Sequence, residues 1–589
     1  MTRSPTAFID RLPFEQQPTT SKSGRPMLKI ALPNFRKLAG AAAGTLVFLT
    51  IAACGGSGPS APPTTTPPPE TPPPLPAPPP VTKAAAFQFL NQTTFGATEA
   101  EAERVIDMGY EAWIDAQMLE PVSLQLPYVQ SQPEPQFVFQ RHNDRVHIWA
   151  DNAINGPDQL RQRVAFALSE IMVVSQIGAL QNSPFSVTSY YDLLAEGAFG
   201  DFRDLMEGVT LHPAMGVYLS MLGNEKPDAS RNIRPDENFA REMMQLFTIG
   251  LVELNIDGSV RTDFNGDPIP TYTQEIIEGF AHVYTGWNFA GADSFRQARR
   301  NDNNQIIPMQ LYPDFHDDGA KQLLNGVVLP AGQSGDQDLR QALDNIFNHA
   351  NVGPFIAKRL IERLVTSNPS PQYVARVART FNNNGSGIRG DLGAVVKAIL
   401  LDPEARQATG SDTKGKLKEP LLRLTQLWRA YDARSESGRF PLGSANNFLG
   451  QGPLQSPSVF NFFSPFFAPA GEIRDRGLVA PELQIATEHQ NTVLATVMAF
   501  YIYLWNSANI DTLQPNNVYI IIDEELELAT DIQALIDRIS AKLLAGEISA
   551  TLRSEVIAMI ERIPEDQPVV RVAEAIYFIV TSPEYAYQR

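Results

Sequence analysis

Three short stretches hold most of the residues in this chain that could do chemistry. His212 stands directly before Pro213. Asn238, Arg241, Glu242 and Gln245 recur at helical spacing, and "FHDDGAK" crowds His316, Asp317, Asp318 and Lys321 into one loop. An imidazole beside a carboxylate can take up and return a proton, and a guanidinium can hold the anion that results. On that reading His212 or Glu242 is the base, Arg241 stabilises an anion, and Asn238, His316 and Asp317 bind. Each group also has a plain structural role. An imidazole before proline can cap the turn that follows. Glu237 and Arg241 form a favourable i,i+4 pair on a solvated helix face. Asp side chains and Gly319 can simply close a turn. Glu278 and His282 share a helix face at i,i+4, a weak two-ligand pattern.

Other chemistries lack their residues. No H-E-x-x-H is present, and no G-x-S-x-G occurs in the folded body. "GSGIRG", Gly385 to Gly390, has dinucleotide-loop spacing, but the "YVARVARTF" before it reads as helix where a strand is required. "DFNGD" places Asp263, Asn265 and Asp267 as in a calcium loop, yet Pro268 stands where glycine is needed and Gln274 where glutamate is; a hairpin turn is expected. The single cysteine excludes an intrachain disulfide and a thiolate metal cluster. No metal ligand set is assigned and no cofactor is identified. Lys and Arg number 47 against 65 Asp and Glu, a net charge of -18. Such a surface repels phosphate backbones, so no nucleic-acid partner is expected.

The elements that must position these groups are mainly helices. From Ala84 onward apolar residues recur with period 3.6, as at Leu160, Val164, Ala167, Leu168 and Ile171. Thr98 and Glu101 make a capping box. "RPDENFAREMMQLFTIG", Arg234 to Gly250, reads as one amphipathic helix with Phe239, Met243, Leu246 and Phe247 inward. Strand signals are few: a hairpin in "VRTDFNGDPIPTY" about Asn265-Gly266, and a short run in "NVYIII". Loops are expected at 223–235 and 288–335. "SPSVFNFFSPFFAP" concentrates Phe460, Phe462, Phe463, Phe466 and Phe467, as core filling or as a platform for sugar rings. The fold class is therefore mainly α, a large multi-helical body with a minor β-hairpin, preceded by a disordered proline-rich tether.

The N-terminus reads as an address. Lys29, Arg36 and Lys37 precede an apolar run from Leu38 to Ala53 that ends "IAAC". This is a secretory signal, too short for a comfortable membrane span. Residues 1–53 are assigned to the signal peptide, with Met27 an alternative start. Cys54 then becomes the lipidated first residue, since "IAAC" resembles the lipobox of bacterial lipoproteins. Gly55 in place of aspartate resembles outer-membrane sorting. Proline-rich residues 54–83 favour extended polyproline II and could hold the body on the order of 80 Å from the lipid. Residues 84–589 form the body, as one unit or two lobes.

"YYDLLAEGAFGDFRDLMEGVTLHPAMGVYLSMLGN" and "RPDENFAREMMQLFTIGLVELNIDG" closely resemble a bacterial family catalogued as domain of unknown function 1800. "YTGWNF", "FHDDGAK", "QSPSVFNFFSPFFAP" and "TSPEYAYQR" extend the resemblance to nearly everything from Phe87 onward. It implies an exported, mainly helical protein with no established activity. Genes of the family are often neighbours of a second exported family, domain of unknown function 1501, which is thereby a candidate partner; a surface polysaccharide is another. Many members resemble "FWHNHF" where this chain has "FALSEIMVVS", so two histidines are missing. If those bind metal elsewhere in the family, Glu170 is the replacement ligand here. The functional expectation is an envelope lipoprotein that binds or assists an exported partner or polymer. The alternative is a hydrolase-like enzyme built on His212, Asn238, Arg241 and Glu242.

Overall fold

The computed structural model describes residues 80–406 and 414–588; the segment read as signal peptide, Cys54 and most of the tether lies outside them. The first helix, Lys83–Thr93, begins one residue inside the expected linker, where Thr82 Oγ1 accepts the Ala85 N–H. Helices start where a side chain can satisfy their free N–H groups or where proline lacks one. Thr98, Asp201, Ser334, Ser370 and Asp391 cap in this way. Pro184, Pro213 and Pro420 open their helices. The capping box at Thr98 forms by half. Thr98 takes the Glu101 N–H, while the Glu101 carboxylate turns to Arg104 and the Trp113 indole.

The described residues are mainly helical, with three two-stranded antiparallel ladders: Trp287–Asn288 with Gln310–Leu311, Lys321–Gln322 with Val328–Leu329, and Lys416–Leu417 with Tyr587–Gln588. One contiguous core runs from Ala86 to Tyr585, with a small satellite of Phe289, Phe295, Ala298 and Tyr312. Among the described residues no helix is long and apolar enough to cross a membrane.

Two local readings change. The stretch Arg234 to Gly250 is not one α-helix. An α-turn, Asn238–Glu242, runs into a π-helix, Met243–Thr248. Pro235 biases Arg234 away from helical backbone, and the Asp236 carboxylate accepts the Asn238 N–H at 2.8 Å, so helix begins only there. In the π segment Thr248 Oγ1 donates to Met243 O at 2.6 Å, while Met243, Met244 and Phe247 are buried. The expected hairpin becomes a larger arm in which Val252 bridges Pro270, Leu254 bridges Val260 and Thr262 bridges Pro268. Its tip is a turn in which Asp263 Oδ1 accepts from the N–H groups of Asn265 and Asp267. The "NVYIII" run makes isolated bridges, Tyr519 to Arg434 and Ile520 to Asn506.

Two glycines decide how close the pieces around "FHDDGAK" can come. A Cβ at Gly279, in the helix Gln274–Val283, would overlap the Gln322 carbonyl oxygen, so glycine lets the Lys321–Gln322 strand lie on that helix. Gly286 takes φ +86°, where a side chain is strained, and a Cβ there would stand 2.8 Å from His316 N.

Candidate functional site

The helix Gln274–Val283 carries Gln274, Glu278 and His282 at i, i+4 and i+8, along one face. At its C-terminal end His282 Nδ1 is joined to Asp317 Oδ2. The carboxylate is held from behind: Asp317 Oδ1 accepts the Gly319 N–H at 2.7 Å, and the Asp317 N–H donates to Thr285 Oγ1 at 2.9 Å. Thr285 in turn donates to His282 O at 2.7 Å, closing a ring of bonds between helix end and loop. The bond from His282, with help from Gly319 and Lys321 against partial burial, draws the Asp317 carboxyl down to about 2.

Beneath this dyad lies a buried charged group. His316 Nδ1 meets Thr285 O at 3.0 Å and its Nε2 meets Asp338 Oδ2 at 3.1 Å. Lys321 Nζ reaches Asp338 Oδ2 at 2.6 Å and also donates to the carbonyls of Asp317 and Gly319, at 2.6 and 2.9 Å. Gln333 donates to the other Asp338 oxygen at 2.7 Å. Each oxygen and nitrogen of this group has a partner, which is the condition for holding charge out of water. The effect is a rigid loop with Asp317 aimed at His282.

Of the seven histidines, His142, His147, His212, His316 and His349 are buried, and His282 and His489 reach the surface. His282, with its side chain 34% exposed, is the one of those two whose ring meets a carboxylate. With Nδ1–H given to Asp317, the Nε2 lone pair is left to take a proton from outside, the arrangement of a general base and its orienting carboxylate.

The other expected site residues are placed as follows. His212 Nδ1 accepts the Ala214 N–H at 3.1 Å, so Nε2 carries the hydrogen and donates to Ser189 Oγ at 3.2 Å. Burial lowers the ring to about 3, keeping it neutral with both nitrogens in use. Asn238 is exposed. Arg241 pairs with Glu237 at 2.9 Å and reaches Gln274 Oε1 at 3.4 Å. Gln274 also donates to Glu237 and Glu278. Arg241 thus meets the helix at Gln274, about 12 Å along its axis from His282. Glu242 turns inward. Burial raises its carboxyl against the pull of Arg241, and among the described residues its Oε2 has no partner. The nearby Tyr272 hydroxyl likewise has none, and burial pushes it up to about 12. Gln245 is half-buried.

Glu170 sits in a second, sealed cluster. Its Oε1 accepts from Gln451 at 3.2 Å and Asn461 at 3.4 Å, and Arg363 Nε lies 3.6 Å from Oε2. Gln451 also donates to Glu419 at 2.5 Å, while Lys416 stands between Glu419 and Glu482 at 3.2 and 3.1 Å. Burial and the Glu419 charge push Glu170 up. Burial works the same way on Glu419, but Lys416, Arg363 and Arg163 outweigh it and hold that carboxyl down. The two carboxyls are thus pushed in opposite directions. Among the described residues, no group of three or more His, Cys, Asp or Glu is arranged to hold a metal ion.

The sequence pointed to "FHDDGAK" but linked His282 only to Glu278. Asp317 lies 35 residues beyond His282, and no spacing rule connects a helix end to a loop at that range. Thr285 and Asp338 carried no signal of their own.

A family model described as "Protein of unknown function (DUF1800)" matches residues 88–587. No curated protein and no solved structure matches the chain.

Proposed function

The chain belongs to the DUF1800 family of proteins of unknown function, and from that premise we propose a lipid-anchored envelope protein that performs proton transfer at His282, in the manner of a hydrolase acting on a surface polymer. One observation carries this: an accessible imidazole whose Nδ1 is tied to a carboxylate that a buried network keeps in place. His282 Nε2 is the base, water or a substrate hydroxyl is the group it activates, and Asp317 positions the ring. Arg241 and Glu278, joined through Gln274, supply polar contacts along the same helix face for an extended chain.

The first test works with the substrate unidentified. Among the surface histidines, His282 should be acylated by diethyl pyrocarbonate at a rate that Asp317→Asn changes, while His489 keeps its rate. Purified protein would then be screened on envelope glycan and peptidoglycan fragments. Any turnover found should fall at least about 100-fold in His282→Ala, the scale of general-base catalysis. Turnover that survives His282→Ala would sink this reading.

The accessory reading is favoured by a separate observation. The arm between Leu251 and Thr271 projects from the body, residues 259–268 are exposed, and Phe264 at the tip is 96% exposed. An aromatic side chain held out at a turn is a contact for a partner surface. Here the partner is an exported protein of the neighbouring family, or a polysaccharide. Co-purification from membranes should lose that partner in Phe264→Ser and keep it in His282→Ala; equal recovery in both variants would count against the arm.

A further inference from the structure

An open groove of about 300 Å³ runs between the turn 220–225 and the segment 233–236, with Ser220, Asn224, Glu225, Ile233, Arg234 and Asp236 on its wall. That volume is the lower end of the range for small-molecule sites. Asn224 ties one wall to the other: its Oδ1 accepts the Asp236 N–H at 2.9 Å and its Nδ2 reaches Asp236 O at 3.5 Å. The groove is also fastened to the elements that carry His282 and Asp317. Gly223 N–H donates to Trp287 O at 2.8 Å, Asn224 O accepts the Gly286 N–H at 2.8 Å, and Lys226 N–H donates to Phe315 O at 2.9 Å. On the other wall Asp236 precedes Glu237, whose Oε2 accepts from Gln274 at 2.9 Å. The groove therefore meets the helix Gln274–Val283 near both of its ends.

The charged groups of the wall are unequally engaged. Glu225 is spent, since its Oε2 accepts from Arg231 at 2.7 Å and from Arg296 at 3.0 Å. Arg234 is exposed, and among the described residues its guanidinium makes no hydrogen bond and no ion pair. Asp236 Oδ1 accepts the Asn238 N–H at 2.8 Å, while among the described residues its Oδ2 and the Ser220 hydroxyl have no partner. The net charge of -18 repels anions from the chain as a whole, so an unpaired guanidinium in a groove is the exception. Its planar fork matches a carboxylate with two parallel bonds. A carboxylate oxygen and a hydroxyl beside it are partners for alcohol groups. One free cation with hydroxyl-binding neighbours is the complement of a sugar acid. A phosphate group would bring more charge than one guanidinium balances, against the Asp236 carboxylate.

We propose that this groove holds a uronic-acid unit of an acidic glycan, with its carboxylate on Arg234 and its hydroxyls on Asp236 and Ser220. The assignment names the substrate class of the His282 site and rests on that reading for the reaction alone; binding in the groove requires no turnover.

Calorimetric titration of the full-length protein tests it, with oligogalacturonate and with the same oligomer after its carboxylates are reduced to alcohols. The acidic oligomer should bind at least about ten-fold more tightly than the neutral one. Arg234→Gln should erase that preference. Lys226→Gln, whose side chain is exposed beside the groove but is not on its wall, should keep it. No binding of either oligomer, equal affinity for both, or an equal loss in Lys226→Gln overturns the proposal. Tighter binding of a glycerol-phosphate oligomer than of oligogalacturonate refutes the ligand class. His282→Ala should retain the full preference whatever becomes of turnover; its loss there would place the carboxylate at His282 and overturn the groove. Turnover that depends on His282 but not on the glycan's carboxylates upholds the base and refutes the groove.

Discussion

At the scale of single residues, similar side chains diverge because their ring or carboxyl atoms are differently engaged. His212 and His282 share a chemistry, but the first spends one nitrogen on a helix N-terminus and the other on Ser189, while the second keeps a nitrogen outward. The burial that lowers His212 to about 3 has a pH consequence. Its folded value lies below the unfolded 6.5, so its contribution is full above 6.5 and is lost as pH falls from there toward 3. Asparagine can accept the same Ala214 N–H but does not titrate. His212→Asn should therefore melt close to the unaltered protein at pH 7.5 and lose less on acidification to pH 5. His212→Ala should lose about 1 kcal/mol from the missing cap alone. Thermal melts across that range decide it; an unchanged acid slope in His212→Asn would remove His212 from the account. Asp338 holds a buried lysine. Replacing it with asparagine leaves Lys321 buried without its counter-ion, and a loss of about 3–5 kcal/mol is expected in urea unfolding.

At the scale of elements, the dyad exists because a strand and a loop can lie directly against the helix Gln274–Val283. Gly279 admits the strand, and Gly286, with φ +86°, admits His316. Gly286→Ala must both strain its backbone and displace the loop that carries Asp317. We expect a loss of about 1–3 kcal/mol, together with reactivity of His282 like that of Asp317→Asn. Unfolding curves and the acylation rate measure the two effects. Full retention of the acylation profile would show that the loop does not depend on this approach. The π-helix Met243–Thr248 acts at the same scale. Its wider turn ends the regular α-helical stripe after one turn; within that one turn Asn238 is exposed and Glu242 buried, although periodicity put them together.

At the scale of the whole molecule, an acidic helical body is proposed to hang from a lipid on Cys54. Cys54→Ala should move the protein from the membrane to the soluble fraction on fractionation, and continued membrane retention would contradict the anchor. What the linear chain determined by itself is local. Helices, the cap at Thr98, the turn at Asn265-Gly266 and the helix before "GSGIRG" follow from neighbours within a few residues, whose effects are written in adjacent letters. Family membership was legible for the same reason, in contiguous motifs. Tertiary structure alone decided which imidazole meets Asp317 and that Glu170 and Glu419 are pushed in opposite directions inside one sealed cluster. Those outcomes depend on which helix faces pack together, and burial then multiplies each charge's effect by removing water. Spacing along the chain carries neither the packing nor the dielectric.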